Sequence, residues 1–391
     1  MNRSKIQTYS ETTLLLVFMI VIFVPFIATV FASKSDISDI EKRKLASMPK
    51  LSLSKESLEQ FPSGFEAYYN DHFGFRRTHL QLHSYIKAKM LKSSPVSKVL
   101  IGKDNWLYIT RLNQIEDFQG LRKPEPIQLE AWKVHFQNKR DWLAERGIQY
   151  LYVIAPNKQT IYPEHMPYYI NKMRGKTQLD HLLGYLDGEF SDDILDLRQP
   201  LLDAKKKEQV YYRCDTHWNL KGSYIAYKNI LARISTWFPN EKTLAPAPVN
   251  ETTKISKRLD LANMLGLPES YRETAPLVTL KEECSTVQED IDLPQIGRIE
   301  NAMPFARECS KAKLRAVVFR DSFFASVVPY FSENFKQVVY VWHPYDQGTM
   351  EQLVGQIKPD IVIEQAGEGF LFFPYKPEFC SSLLGKDVAV E

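Results

Sequence analysis

The fold class this sequence predicts is α/β, a mainly parallel sheet covered on both faces by helices. Three observations predict it. Short strands that are apolar throughout, rather than alternating, recur along the chain. Stretches of helical pattern separate them. Polar, chemistry-bearing residues then fall at the ends of those strands, where ligands bind in sheets of this kind.

The elements follow in order. A helix is expected over residues 126–146, ended by Gly147, and a buried strand over 148–155 closed by Pro156-Asn157-Lys158. Residues 193–197 form a shorter strand, and 220–236 a helix. Residues 314–319 form a strand that runs into Arg320-Asp321-Ser322 and a helix-like segment. Two more strands, 337–342 and 360–364, bracket a helix over 348–357. Residues 239–299 are rich in Pro, Glu and Thr and read as an irregular insertion near the site.

Upstream, residues 14–32 are apolar apart from Thr29, long enough to cross a bilayer as a helix, and Arg3 and Lys5 precede them. The expected layout is a cytoplasmic tail over 1–11 and a retained anchor over 12–32. A cleaved signal at Val30-Phe31-Ala32 is the rival reading. A polar stalk and an amphipathic, aromatic helix over 61–90 occupy 33–95, and the main domain runs from 96 to 391. Within the helix, Asp71-His72 reads as a turn or cap, with a catalytic pair as the rival reading. Residues 99–109 read as two short strands around a polar turn.

The 391 residues are 44% hydrophobic and 25% charged, with a net charge of +3. This is globular composition, and no basic run or zinc-finger spacing points to nucleic acid. No Cys-x-x-Cys or His-Glu-x-x-His pattern supports a metal site, and no cofactor is implied. Of Cys214, Cys284, Cys309 and Cys380, the second and third flank a polar stretch and are the preferred disulfide pair.

The chemistry concentrates in Asp215-Thr216-His217-Trp218-Asn219 and Asp321-Ser322-Phe323. An acid two positions before an imidazole can orient it, and the ring can then take a proton from a serine hydroxyl. Each residue also has a plainer reading: Ser322, Asp321 or Asp215 capping a helix. A serine at a helix start would set backbone N–H groups near a developing oxyanion. Asn157 is a candidate oxyanion donor, and Lys158 and Tyr162 are candidate substrate contacts. Glu364 and Glu368 flank Gly367 after the last strand, as sugar-binding or simply solvated carboxylates.

A set of phrases carries a resemblance. Glu41-Lys42-Arg43-Lys44-Leu45, Asp71-His72-Phe73-Gly74-Phe75-Arg76, Gly102-Lys103-Asp104-Asn105-Trp106-Leu107-Tyr108, Pro156-Asn157-Lys158 with Tyr162-Pro163, Asp215-Thr216-His217-Trp218-Asn219, Arg320-Asp321-Ser322-Phe323 and Lys358-Pro359-Asp360 occur in that order. Together they resemble the SGNH-hydrolase-like domain of the alginate O-acetyltransferase (AlgJ/AlgX) group. The resemblance implies a three-layer, flavodoxin-like fold with Asp215, His217 and Ser322 as triad, the acid and base preceding the nucleophile. It also implies a catalytic domain in the periplasm, exported or anchored at the bacterial inner membrane. The implied activity is acetyl transfer to an exopolysaccharide, with acetyl groups supplied through a multi-spanning membrane acyltransferase. Two departures stand out: Cys214 beside the acid, and Arg320 where many members have Gly. Arg320 would narrow the oxyanion region or bind an anionic sugar. The expected function is therefore periplasmic O-acetyl transfer to an exported polysaccharide; an O-acetyl esterase and a catalytically silent scaffold are the rivals.

Overall fold

In the computed structural model, the described residues are 3–31, 37–38, 43–256, 259–289, 291, 293, 303–342 and 346–371. They fall into two compact units, residues 1–97 with 262–270, and 98–261 with 271–391.

In the first unit, helix α1 (Arg3–Phe31) carries the apolar run. The helix expected over 61–90 is two helices, α2 (Lys55–His72) and α3 (Arg76–Tyr85). The break is local: Phe73 leaves helical geometry and Phe75 takes φ 61°, a left-handed corner around Gly74. Asp71 and His72 hold that corner to the preceding segment. The Asp71 carboxylate accepts from the Ala46 N–H at 2.8 Å, and the His72 ring lies 3.0 Å from the Ala46 carbonyl.

The second unit is built on a seven-stranded sheet. Its strands are β1 (Gln149–Ala155), β2 (Ile194–Asp196), β3 (Thr286–Gln288), β4 (Phe305–Glu308), β5 (Arg315–Phe319), β6 (Gln337–Val341) and β7 (Ile361–Gly367), in spatial order β2-β1-β7-β5-β6-β4-β3. The β2-β1-β7-β5-β6 pairs are all parallel, and β4 pairs antiparallel with β6 and with β3. The last core strand runs three residues past the expected end at 364, a difference that matters for Glu364. The insertion is also less irregular than its composition suggests, because Val249–Ser256 and Glu273–Leu280 pair as a hairpin. The hairpin over 99–109 forms as expected, between Val99–Ile101 and Leu107–Ile109.

Strand side chains alternate between two cores. Leu151, Val153, Val318, Tyr340 and Ile363 face one cluster, with Ile225, Ile230 and Ile234 of α6 (Leu220–Trp237). Helices α4 (Pro126–Ala144), α5 (Gln178–Leu186) and α7 (Gln347–Ile357) cover the other face. Tyr150, Tyr152, Val317, Phe319 and Val362 face the other cluster, with Trp132 and Phe136 of α4, Leu182 of α5 and Leu353 of α7. The result is the expected three-layer, SGNH-like α/β fold. The Cys284–Cys309 disulfide forms, with Cα atoms 5.3 Å apart, and Cys214 is a buried thiol that donates to the Asn105 carbonyl at 3.3 Å. Cys380 lies outside the described residues.

Candidate active site

The segment 210–219 is a tight loop whose two sides hydrogen-bond to each other. The Asn219 N–H donates to the Val210 carbonyl at 3.0 Å, and the Tyr212 N–H to the His217 carbonyl at 3.2 Å. Asn219 then caps α6, accepting from the Lys221 and Gly222 N–H groups, both at 3.0 Å. Gly222 is required by space: a Cβ there would lie 2.1 Å from the Val210 carbonyl oxygen. The loop tip therefore presents Asp215 and His217 together.

The hydrogen-bond line is continuous. The His217 Nδ1 is 2.7 Å from Asp215 Oδ1, and its Nε2 is 2.7 Å from Ser322 Oγ. Ser322 follows β5, one residue beyond Asp321. Trp218 pins the two motifs together: its indole N–H donates to Ser326 Oγ at 3.0 Å, and its ring meets Phe323 edge-on at 5.0 Å. The same Phe323 ring lies 4.9 Å from the His217 ring.

The electrostatics suit a base held by an acid. Burial pushes the Asp215 carboxyl up, but the His217 hydrogen bond and charge, with N–H groups of Asp260 and His217, hold it at about 2. Burial lowers His217, yet Asp215 outweighs that and the ring's pKa is raised, with Asp260 and Asp321 adding to the effect.

Beneath the loop lies a network that sequence reasoning did not assemble. Asp215 Oδ2 accepts from the Asp260 N–H at 2.8 Å, and Asp260 Oδ1 in turn accepts from the Thr216 N–H at 2.7 Å. Glu273 accepts from the N–H groups of Arg213 at 3.0 Å and Cys214 at 3.1 Å. Asp260 and Glu273 come from the insertion, and no periodicity or motif marks either. Asp215, His217 and Asp260 are close enough to hold a cation, but Asp215 and His217 already hydrogen-bond each other and Asp260 Oδ1 accepts from the Thr216 N–H.

Several expected site residues sit elsewhere. Lys158 is buried, and its ammonium donates to the carbonyls of Tyr212, Arg213 and Asp215 at 3.2, 3.0 and 2.6 Å. It braces the acid loop rather than meeting substrate, and burial brings its pKa down to about 8. The Tyr162 hydroxyl accepts from the Val210 N–H at 2.9 Å, fixing the start of the loop. Glu364 lies within β7, on the α4 face, because side chains alternate along the strand. Its carboxylate is taken by Lys139 and by the Tyr150 hydroxyl, each at 2.6 Å. Glu368 is buried rather than solvated, accepting from the Asn157 N–H at 2.8 Å and Thr160 Oγ at 2.7 Å.

Asn157, Asp321 and Arg320 also lie just beyond strand ends. The Asn157 side-chain amide has no partner among the described residues. The helix expected after Ser322 is only a short tight turn, Phe323–Ser326, and the Phe323 N–H donates to Asp321 Oδ1 at 2.8 Å. Asp321 Oδ2 takes the Gly367 N–H at 2.7 Å, so its carboxylate clips β5 to β7. Arg320 is stacked between Trp342, 4.6 Å from its ring, and Phe305 at 5.7 Å, with Nε unpartnered among the described residues.

A three-layer, mainly parallel sheet with this arrangement at its carboxyl edge defines the SGNH-hydrolase-like class. Within that class, the chain belongs to the family described as the SGNH hydrolase-like domain of the acetyltransferase AlgX, which it matches over residues 99–294. Asp215 and His217 fall inside that span and Ser322 beyond it. The chain is similar to the probable alginate O-acetylase AlgJ of Pseudomonas syringae pv. tomato, 30% identical over 180 residues. That match spans 45% of the chain and less than half of the relative, 43%. Among solved structures it is similar to Bacillus cereus PatB1, at 19% identity and TM-score 0.48, covering 70% of the chain and 96% of that structure. It is also similar to the O-acetyltransferase domain of Pseudomonas putida AlgJ, at 18% identity and TM-score 0.45, covering 73% and 98%.

Proposed function

We propose that the protein is an O-acetyltransferase that modifies an exported polysaccharide, with Ser322 as nucleophile, His217 as base and Asp215 as its orienting acid. The single observation that carries this reading is the Asp215–His217–Ser322 line, with both contacts at 2.7 Å. His217 Nε2 takes the Ser322 proton as Oγ attacks the donor's acetyl carbonyl, and the donor's leaving group departs with that proton. The serine then carries the acetyl group as an ester. A sugar hydroxyl gives its proton to His217 and attacks the ester; Ser322 recovers a proton as it leaves.

Family membership supports the acetyl group as cargo. Asn157, with its free amide at the end of β1, is the proposed oxyanion donor, beside the Ser322 N–H. Arg320 is the proposed acceptor contact, a desolvated guanidinium two residues before the nucleophile. The relatives named as alginate O-acetylases support a polysaccharide acceptor, and acetyl supply through a multi-spanning acyltransferase is part of the same proposal. The apolar helix α1, with 21 residues from Tyr9 to Thr29 suited to a bilayer, supports an inner-membrane anchor with the catalytic unit in the periplasm.

The test uses purified protein, a chromogenic acetyl ester and an acetyl-free oligosaccharide, with intact mass as readout. Expected is an acetyl adduct on the wild type, absent from Ser322→Ala, that passes to the sugar. Adduct formation followed only by free acetate would move the esterase reading ahead. Folded wild type and Ser322→Ala that are equally inert across several donors would leave a silent scaffold.

A further inference from the structure

Helix α1 does not hang free of the unit it belongs to. The Gly74 N–H, at the α2–α3 corner, donates to Thr29 Oγ1 at 2.8 Å. Contact there is so close that a Cβ on Gly74 would lie 2.2 Å from the Pro25 carbonyl oxygen and 2.7 Å from the Ala28 Cβ. The corner is thus seated on the last turn of the apolar run. That run of 21 residues, at ~1.5 Å per residue, is roughly the thickness of a bilayer's hydrocarbon core. On the anchored reading Thr29 stands at the lipid–water boundary, and α3 starts two residues beyond Gly74.

From that point α3 and the wider helical turn after it, Ile86–Met90, expose a stripe of large apolar side chains. Leu82 is 55% exposed, Tyr85 47%, Ile86 39% and Met90 69%. Their spacing puts them on one side of the helix. Ser84 and Ala88, on the opposite side, are buried, so the stripe points away from the protein. In water such a stripe is a liability. Along this stretch the charge has one sign: residues 72–103 contain no Asp or Glu, and Arg77, Lys87, Lys89 and Lys92 accompany the helix, while Arg76 lies 3.9 Å from the Asp71 carboxylate. An apolar face bordered by basic residues is what an interfacial helix presents to anionic headgroups.

We propose that α3 and its following turn lie in the surface of the membrane that α1 crosses, with Leu82, Tyr85, Ile86 and Met90 in the acyl–headgroup boundary and the lysines against anionic phospholipid. This rests on the anchored reading above. It gives the chain a second membrane contact, held to the first by the Gly74–Thr29 bond.

The test is photocrosslinking of the full chain in vesicles of phosphatidylethanolamine and phosphatidylglycerol. Benzoylphenylalanine replaces Leu82, Tyr85 or, as control, the exposed Glu145, and adducts are read by mass. Phospholipid adducts at 82 and 85 and none at 145 are expected. Absence of lipid adducts at both stripe positions, or adducts at those positions to another protein in native membranes, would overturn the proposal. Tyr85 is aromatic already, so that variant keeps the test valid if the one at Leu82 misfolds. Intact mass from native membranes separates the two readings. If residues 1–31 have been removed and a carbonate wash releases the protein, the anchor reading fails. If the chain is whole and carbonate-resistant but lacks lipid adducts, only the interfacial helix fails.

Discussion

Replacing Asp260 by Asn tests whether the clamp beneath the acid loop tunes the base. The substitution keeps the side chain's shape and the backbone N–H that Asp215 accepts, and removes one negative charge. Asp215, His217 and Asp260 offer atoms that all lie within 4.8 Å of one another. Two unit charges at that separation interact by roughly 1 kcal/mol in bulk water and roughly 3.5 kcal/mol at the effective dielectric of a protein surface. The His217 side chain is 27% exposed, so the realised effect falls between these limits, about one pH unit. The charges facing the ring are Asp215 on its own loop, Asp260 from the insertion and Asp321 after β5. The Lys158 ammonium braces the loop and is itself within reach of Asp215 and Asp260. The sign follows directly. Acidic neighbours stabilise imidazolium and raise the His217 pKa, and acylation needs the neutral ring. Removing Asp260's charge moves the acid limb of the rate profile to lower pH. The assay is the rate of Ser322 sulfonylation by an aryl sulfonyl fluoride, followed by intact mass between pH 4 and 9. An acid limb that stays in place, or moves up, refutes the electrostatic role. A lower plateau with an unmoved limb would mean that Asp260 only holds the loop.

Three other outcomes are expected. Lys158→Met leaves three loop carbonyls without their donor and should lower stability by about 2–4 kcal/mol in urea unfolding, with sulfonylation falling further than that of other equally destabilised variants. Burial raises the Glu368 carboxyl to about 7, so the folded state holds a proton that the unfolded chain has lost. Its contribution is full below the unfolded pKa of about 4.5 and is lost as pH rises through 7; by pH 8 the loss is about 3 kcal/mol, and Glu368→Gln should flatten that slope in unfolding measured from pH 4 to 8. Opening the Cys284–Cys309 disulfide, which closes a separation of 25 residues, should cost about 3 kcal/mol, read as a lower urea midpoint for the Cys284→Ser, Cys309→Ser variant.

Local pattern was enough to place much of this molecule. Solid apolar strands such as Tyr150–Ala155 and Ala316–Phe319 can only be buried on both faces, which already implies helices on each side. The start of α6 near Leu220 and the strand end before Asp321 were also readable, because strand ends and helix starts depend on near neighbours; the cap, expected from Asp215, is Asn219. The pairing of Cys284 with Cys309 was readable from the polar stretch that they flank. Other properties depend on which residues far apart in sequence become neighbours. Glu364 at a strand end reads as a loop carboxylate, but three more residues of β7 put it in the ladder, and parity turned it to Lys139. Lys158 and Tyr162 look like substrate contacts beside a turn; only the return of residues 210–215 over them makes them braces. Asp260 and Glu273 carry no local signature at all, since their partners lie 44 to 60 residues away. Sequence alone determined the layers and singled out Asp215, His217 and Ser322, which the fold brings into hydrogen-bond contact. Tertiary structure decided what orients them, because burying a charged loop requires a partner for every polar group, and those partners come from wherever the chain passes.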